Sequence, residues 1–534
     1  MREGVKRMLQ KRSVFLLFMV LLLLIVLTGW GVMFQRAANT KSDMSHAPSV
    51  RQGMGRERGM MDMGGMMSGM MDMGGMMSGP HGATIHLRDS KGTHPLAIPS
   101  VLQPTYEHGE AVYTLRAEVG ETELIDGIKT ETYGYNGSFL GPVLRFKKGE
   151  HVRVQFTNNL REPTTVHWHG LIVPPVVDGG PENRIMPGEA TSLTFDVLQD
   201  PATLWFHPHP HGQTSEQVYK GLAGLVYIDD DEAKLLNLPE TYGQNDIPLI
   251  FQDRLFTSNG QLDYWKVANA DGTLGDTLLI NGTVDPILKV QPEPVRFRLL
   301  NGSNARTLTI RLNTGDAFMQ VATDGGLLDQ PQMIQQITLS PAERAEIVVD
   351  FGALKDRQSL ALVDDEGVVL LPLSVQKAQH SVQAKPIVSN PSYTSFLSST
   401  ENADVLLKES SVQHQVVFFG MMQMVQINGK KYDPRRVDFK ARQGKTEIWE
   451  FYNKPDMMGG MVHPVHLHGA QFQIISRNGE RPPVTEQGFK DTFAIAPGER
   501  VRVLVTFQYT GTYMLHCHLL EHEDQGMMAT VLVQ

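Results

Sequence analysis

The C-terminal stretch HCHLLEHEDQGM gathers His516, Cys517, His518, His522 and Met527 within twelve residues. In an extended segment successive side chains point to opposite faces, so His516 and His518 share one face and Cys517 points away from them. One strand can therefore serve two metal sites. Thiolate, imidazole and a distant thioether are the ligand set of a blue-copper electron-transfer site, in which methionine is the weak axial ligand. Cys517 and Met527 suit those roles. Cys517 is the only cysteine of the chain; alone it would read as an inert buried residue, and its histidine neighbours argue otherwise.

Upstream, HPVHLHG carries His463, His466 and His468, and parity again separates the last two from the first. HWHG supplies His167 and His169, and WFHPHPHG supplies His207, His209 and His211. Four H-x-H pairs give eight imidazoles, enough for a cluster of several copper ions. With His463 and His522, ten of the 19 histidines fit one ligand scheme. Chance placement on a surface accounts for one such pair but not for four.

As a set, HWHG, WFHPH, HPVHLHG and HCHLLEHEDQGM resemble the copper-binding motifs of the multicopper oxidases. The chain is most similar to their bacterial laccase and cuprous oxidase branch, from about residue 84 to the C-terminus. The resemblance implies one type 1 copper on His463, Cys517, His522 and Met527, and a type 2 copper on His167 and His466. It implies a type 3 pair on His169, His207, His209, His468, His516 and His518. It gives His211 no ligand role and puts it behind the ligands. The implied activity takes electrons one at a time from a reducing substrate and passes four of them to dioxygen, giving water. Cys517 adjoins both His516 and His518 in the chain, so the covalent path between the two centres is short. Asp178, in VPPVVDGG nine residues after His169, and Glu523, directly after His522, resemble the family's acidic proton donors.

Thioethers are soft ligands that select Cu(I). MMQM (Met421, Met422, Met424) and DMMGGM (Asp456, Met457, Met458, Met461) precede His463. In cuprous oxidases methionine and aspartate beside the type 1 histidine form a substrate copper site, and Met461, two residues before His463, matches that pattern. Gly459 stands where the acidic residue is expected, with Asp456 nearby, and the long Met-rich helical insert of enterobacterial members is missing. The expected substrate is Cu(I), in the service of copper tolerance. The alternative is a laccase-type oxidase of phenols, amines, Mn(II) or Fe(II). A non-catalytic copper scavenger or a cupredoxin-like structural protein of the envelope is the reading from another class, and the full ligand set argues against it.

These residues need a scaffold, and internal repetition indicates which. Asn-Gly followed by an alternating strand recurs at Asn136, Asn281 and Asn428, a turn signature. A second echo reads PGEATSLTFDV from Pro187, PAERAEIVVDF from Pro341 and PGERVRVLVTF from Pro497. Strand-like runs broken by Gly, Pro and Asn predict an all-β chain of three β-sandwich domains. The resemblance names these as cupredoxin-like Greek-key domains. Their expected bounds are 84–232, 240–376 and 408–534, with a Ser- and Asn-rich linker over 377–407. The middle copy contains no histidine. It is expected to be structural, so that the copper cluster joins the first and third copies.

Residues 1–38 carry a basic stub and the uncharged run Ser13–Phe34, whose 22 residues can span a bilayer that needs about 20. A cleaved signal usually has a shorter apolar region, so an uncleaved membrane anchor is favoured over a signal. Either places the rest of the chain outside the cytoplasm. Residues 39–83 follow, with MMDMGGMMSG written twice over 60–79; glycine and loosely packing methionine make a flexible linker rather than a core. The 534 residues allow three or four domains at roughly 150 each, and a net charge of -10 offers no basic patch for nucleic acid. A monomer is expected, with dioxygen and Cu(I) or a small reductant as its partners.

Overall fold

The strand His151–Asn158, HVRVQFTN, buries Val152, Val154, Phe156 and Asn158 and turns the intervening residues outward, the period-two pattern of a strand with one face on a core. That pattern recurs through the computed structural model, which describes residues 85–357, 359–377, 386–389, 411–457 and 459–534. All of these belong to the compact unit Gly75–Gln534. The expected anchor Ser13–Phe34, the methionine repeat, Met458 and most of the expected linker lie outside the described residues. The described chain is nearly all β. Its α-helices are short, six residues in Thr214–Tyr219, and none is long and apolar enough to cross a membrane.

Among the described residues three large cores organise six sheets. The first core holds Tyr113, Phe146, Phe156, Trp168 and Phe206. One of its sheets ends at an edge on the strand His167–His169, which pairs antiparallel with Ala202–His207. The second core, with Phe251, Phe297, Ile310 and Leu371, lies in a seven-stranded and a six-stranded sheet. The third holds Trp449, Phe451, Phe493, Leu515 and Cys517. In one of its two five-stranded sheets, His463–Leu467 runs between Gly511–Cys517 and Thr492–Ile495. Each wholly buried large apolar side chain contributes about 1.5–3 kcal/mol, so the histidine strands are held from behind by dense packing.

The Asn-Gly echo has a structural counterpart in all three copies. Asn136, Asn281 and Asn428 each adopt a left-handed backbone, with φ of 55°, 51° and 50°. Their Oδ1 atoms accept the N–H groups of Arg116, Ile250 and Val417 at 2.8, 2.8 and 2.7 Å. Their Nδ2 groups donate to the carbonyls of Thr114, Pro248 and Gln415, each two residues earlier. A second trio, unforeseen from sequence, does the same work at another corner: Asn158, Asn301 and Asn453 donate from Nδ2 to the carbonyls of Ile185, Leu339 and Ile495. Asparagine suits the first trio of places because it tolerates φ > 0, and both trios because its amide can donate to a carbonyl.

Asn281 is buried, so Asn281→Ala leaves the N–H of Ile250 and the carbonyl of Pro248 without these partners. The expected loss is about 1–3 kcal/mol, visible as a lower midpoint in thermal unfolding. An unchanged midpoint would show that this corner does not stabilise the fold.

Candidate metal centres

Strand register sorts the ligand-type residues of the third core. Across the pair His463–Leu467 and Gly511–Cys517, Val465 lies opposite Cys517 and His466 opposite His516. Opposed residues share a face. Cys517, and His463 with the same parity as Val465, therefore turn toward the core, while His466 and His516 turn the other way. His522 joins the first pair from the short helix Leu520–Asp524. The Cys517 Sγ is 3.4 Å from Nδ1 of His463 and 3.6 Å from Nδ1 of His522, and the three donor atoms all lie within 4.8 Å of one another. Met527 is buried in the same core. Its N–H donates to the carbonyl of His522 and its carbonyl accepts from the N–H of Cys517, at 2.9 and 3.1 Å.

On the other face eight imidazoles converge from the first and third cores. His169, His207 and His518 form one group, and His209, His468 and His516 a second. Nε2 of His207 is 3.4 Å from Nδ1 of His169, and Nε2 of His516 is 3.2 and 3.0 Å from Nε2 of His209 and His468. His167 and His466 face each other through Nε2 atoms 3.4 Å apart. The six residues assigned together by sequence thus fall into two triplets, and the remaining pair lies against both, His466 stacked on His169 and His167 on His468 with ring centroids 3.6 and 3.8 Å apart.

The outward ring nitrogens are tied down by oxygens. His167 Nδ1 donates to the carbonyl of Asp178, His466 Nδ1 to that of Asp491, His207 Nδ1 to that of Pro208, and His516 Nδ1 to that of Cys517, at 2.9, 2.9, 2.9 and 3.1 Å. His468 Nδ1 donates to the Asp178 carboxylate at 2.7 Å, and His169 Nε2 to the Asp491 carboxylate at 3.1 Å. Such bonds fix tautomer and ring orientation and leave the other nitrogen free for a metal. Asp178 is placed by Gly179, whose φ of +80° brings the backbone so close to the Val166 carbonyl that a Cβ would collide with it. Glu523 sits 3.3 Å from Nδ1 of His209 and 3.4 Å from Nδ1 of His516, neither contact aligned as a hydrogen bond. Burial raises both carboxyls well above the usual range, so both can hold a proton. Burial likewise pushes the Cys517 thiol up.

This donor set fits copper. Both ring nitrogens of His518 are buried with no hydrogen-bond partner. Neutral imidazoles and one sulfur are the ligands that copper takes in preference to harder cations.

The methionine set is gathered only in part. Met461 packs half-buried on the third core, and Met421 and Met422 are half-buried, whereas Met424 and Met457 are exposed. Asp456 is half-buried, with its carbonyl accepting the N–H of Gly459 at 3.2 Å. His211 is half-buried with its ring edge-on to Tyr432, centroids 5.3 Å apart. The histidine-free middle stretch also reaches the site. Its loop brings the Asp271 carboxylate 3.6 Å from Nε2 of His522, and the N–H of Met422 donates to the same carboxylate. Nothing in ANADGTLGDT marks that aspartate, which reads as an ordinary turn residue and meets its partner only across the fold.

Burial is the first cause holding each of the ten imidazoles below the ordinary value of 6.5, down to about 3 for His518. A histidine whose folded pKa is depressed contributes stability that is full above its unfolded pKa and is lost as the pH falls below it. The metal-free protein is therefore expected to have an unfolding midpoint that falls steeply as the pH drops below about 6.5, where the ten histidines would be protonated in the unfolded chain. A midpoint constant down to pH 5 would contradict this account of the site.

Family models described as multicopper oxidase match residues 117–233 and 404–534. The chain is 43% identical over 454 residues to the multicopper oxidase mco of Staphylococcus haemolyticus, covering 85% of this chain and 95% of that protein. It is 32% identical over 462 residues to the cell division protein FtsP of Edwardsiella tarda, covering 85% and 95%. Among solved structures, the laccase of Pediococcus acidilactici superposes with a TM-score of 0.77 at 39% identity, covering 84% of this chain and 96% of that one. Together with the convergent imidazoles and the thiol, these likenesses place the chain in the multicopper oxidase family, copper-dependent oxidoreductases with oxygen as acceptor.

Proposed function

We propose that His463, Cys517, His522 and Met527 hold the type 1 copper, that His167 and His466 hold the type 2 copper, and that the triplets His169, His207, His518 and His209, His468, His516 each hold one ion of the type 3 pair. In this reading the three sheet pairs are cupredoxin-like sandwiches and the substrate is Cu(I). Copper bound there supplies the one-electron chemistry by which dioxygen is reduced to water. The protein's own part is to hold the ligands neutral and correctly turned, to keep water out, and to deliver protons. Asp178 is the positioned acid on the His468 side. Glu523, against His209 and His516, is the acid on the other.

The observation that carries the substrate assignment is Asp271. A carboxylate 3.6 Å from the outward nitrogen of His522, fastened to the backbone of Met422, whose neighbour in sequence is Met421, is suited to a small cation. A cleft of about 800 Å³, roomy enough for an organic donor, is lined by Ile172, Gln473, Phe489 and Leu504 and not by His522 or Asp271. The FtsP relative carries a cell-division name, yet eight buried histidines in one cluster and two more beside a buried thiol support an oxidase rather than a structural role.

Asp271→Ala is expected to raise the KM for Cu(I) by about 10-fold or more, the scale of losing one metal-orienting group, and by at least ~10-fold more than for a phenol. Equal losses for both donors would favour the laccase-type reading. Asp178→Asn and Glu523→Gln are expected to slow oxygen consumption by about 10²-fold or more while anaerobic bleaching of the blue absorption by substrate stays fast. Slowed bleaching would remove both residues from proton delivery.

A further inference from the structure

Asp491 does two things at the cluster. Its carboxylate accepts from His169 Nε2, and its carbonyl accepts from His466 Nδ1. What fixes Asp491 comes from the middle stretch: Arg344 Nη1 donates to Oδ1 at 2.7 Å and Nη2 to Oδ2 at 2.6 Å. The remaining donors of the guanidinium are also used. Nε donates to the Thr203 carbonyl at 3.2 Å, Nη1 to that of Ala342 at 3.0 Å and Nη2 to that of Asp324 at 3.1 Å. All five N–H groups have acceptors, an arrangement open to the planar fork of arginine and closed to lysine. Both partners of the pair are wholly buried.

We propose that Arg344 is a positioning residue for the copper cluster, setting His169 and His466 through the Asp491 carboxylate and backbone. The inference rests on the copper roles proposed above. Gly170, the last residue of HWHG, supplies a second observation. Its φ is +90°, and a Cβ there would lie 2.8 Å from Arg344 Nη2 and collide with Asp491 Oδ2. The glycine thus admits the ion pair into contact with the backbone beside His169. A buried ion pair is weak support for stability, since apolar groups of similar volume often serve as well or better. A pair with every donor filled, bonded to two metal-ligand side chains, is instead suited to fixing direction.

The test uses the full chain loaded with copper. Wild-type protein must first show the type 2 electron paramagnetic resonance signal and the near-ultraviolet band of the coupled pair; their absence would remove the copper roles themselves. Given those signals, Arg344→Met and Asp491→Asn are each expected to keep the blue type 1 absorption, to lose cluster copper to a chelator about 10- to 100-fold more readily, and to alter the near-ultraviolet band of the coupled pair, to which His169 belongs. The double variant Arg344→Met/Asp491→Leu removes both charges. It is expected to recover the unfolding midpoint of the metal-free protein but not the cluster signals. A double variant with native cluster signals, or Asp491→Asn with an unchanged near-ultraviolet band, overturns the proposal. If Arg344→Met does not fold, Asp491→Asn decides, because it keeps shape and backbone carbonyl.

Discussion

Everything in this structure answers to one demand: eight imidazoles must be brought together without water and without charge. A buried imidazolium is costly to desolvate and repels its neighbours, so the rings have to be neutral, and a neutral ring must place its one proton on the outward nitrogen. For six of the eight rings the carbonyls of Asp178, Pro208, Asp491 and Cys517 and the carboxylates of Asp178 and Asp491 receive those protons. The strands carrying the rings are in turn held by packed cores that leave little freedom to relax.

The same demand explains why one pair of strands serves two centres. Because side chains alternate, the register His466 opposite His516 and Val465 opposite Cys517 sends imidazoles to one side and sulfur to the other with no loop between them. The spacing of the two centres is then a property of the peptide unit. The middle stretch completes the enclosure without contributing an imidazole: Asp271 closes over His522 and Arg344 braces Asp491.

Much of this could be read from the residues in order. Parity within H-x-H pairs predicts which histidines part company, and the strands keep that parity. Asn-Gly spacing predicts three copies, and the asparagines form the same corner in each. Asp271, Arg344 and Asp491 could not be found so, because their meaning lies in contacts between segments far apart in the chain: Arg344 and Asp491 are separated by 147 residues, and each alone looks like an ordinary charged residue near a strand end. Clustering in sequence also misleads. Met421, Met422 and Met424 sit within four positions, but a single short turn leaves Met424 exposed while its neighbours are half-buried. The second asparagine trio carries no shared mark in sequence, because of Asn158, Asn301 and Asn453 only Asn301 is followed by glycine.

The division of ligands between cores has a consequence in time. His463, Cys517, His522 and Met527 all belong to the third core and meet as soon as that part of the chain folds. The cluster instead needs partners such as His167 and His466, 299 residues apart, and domains fold in order as the chain emerges. The half of the cluster borne by the first core is complete early, and His167, His169, His207 and His209 then present a ready chelating surface with nothing yet opposite. Between the folding of the first core and the docking of the third, the nascent protein is at its most open to the wrong metal.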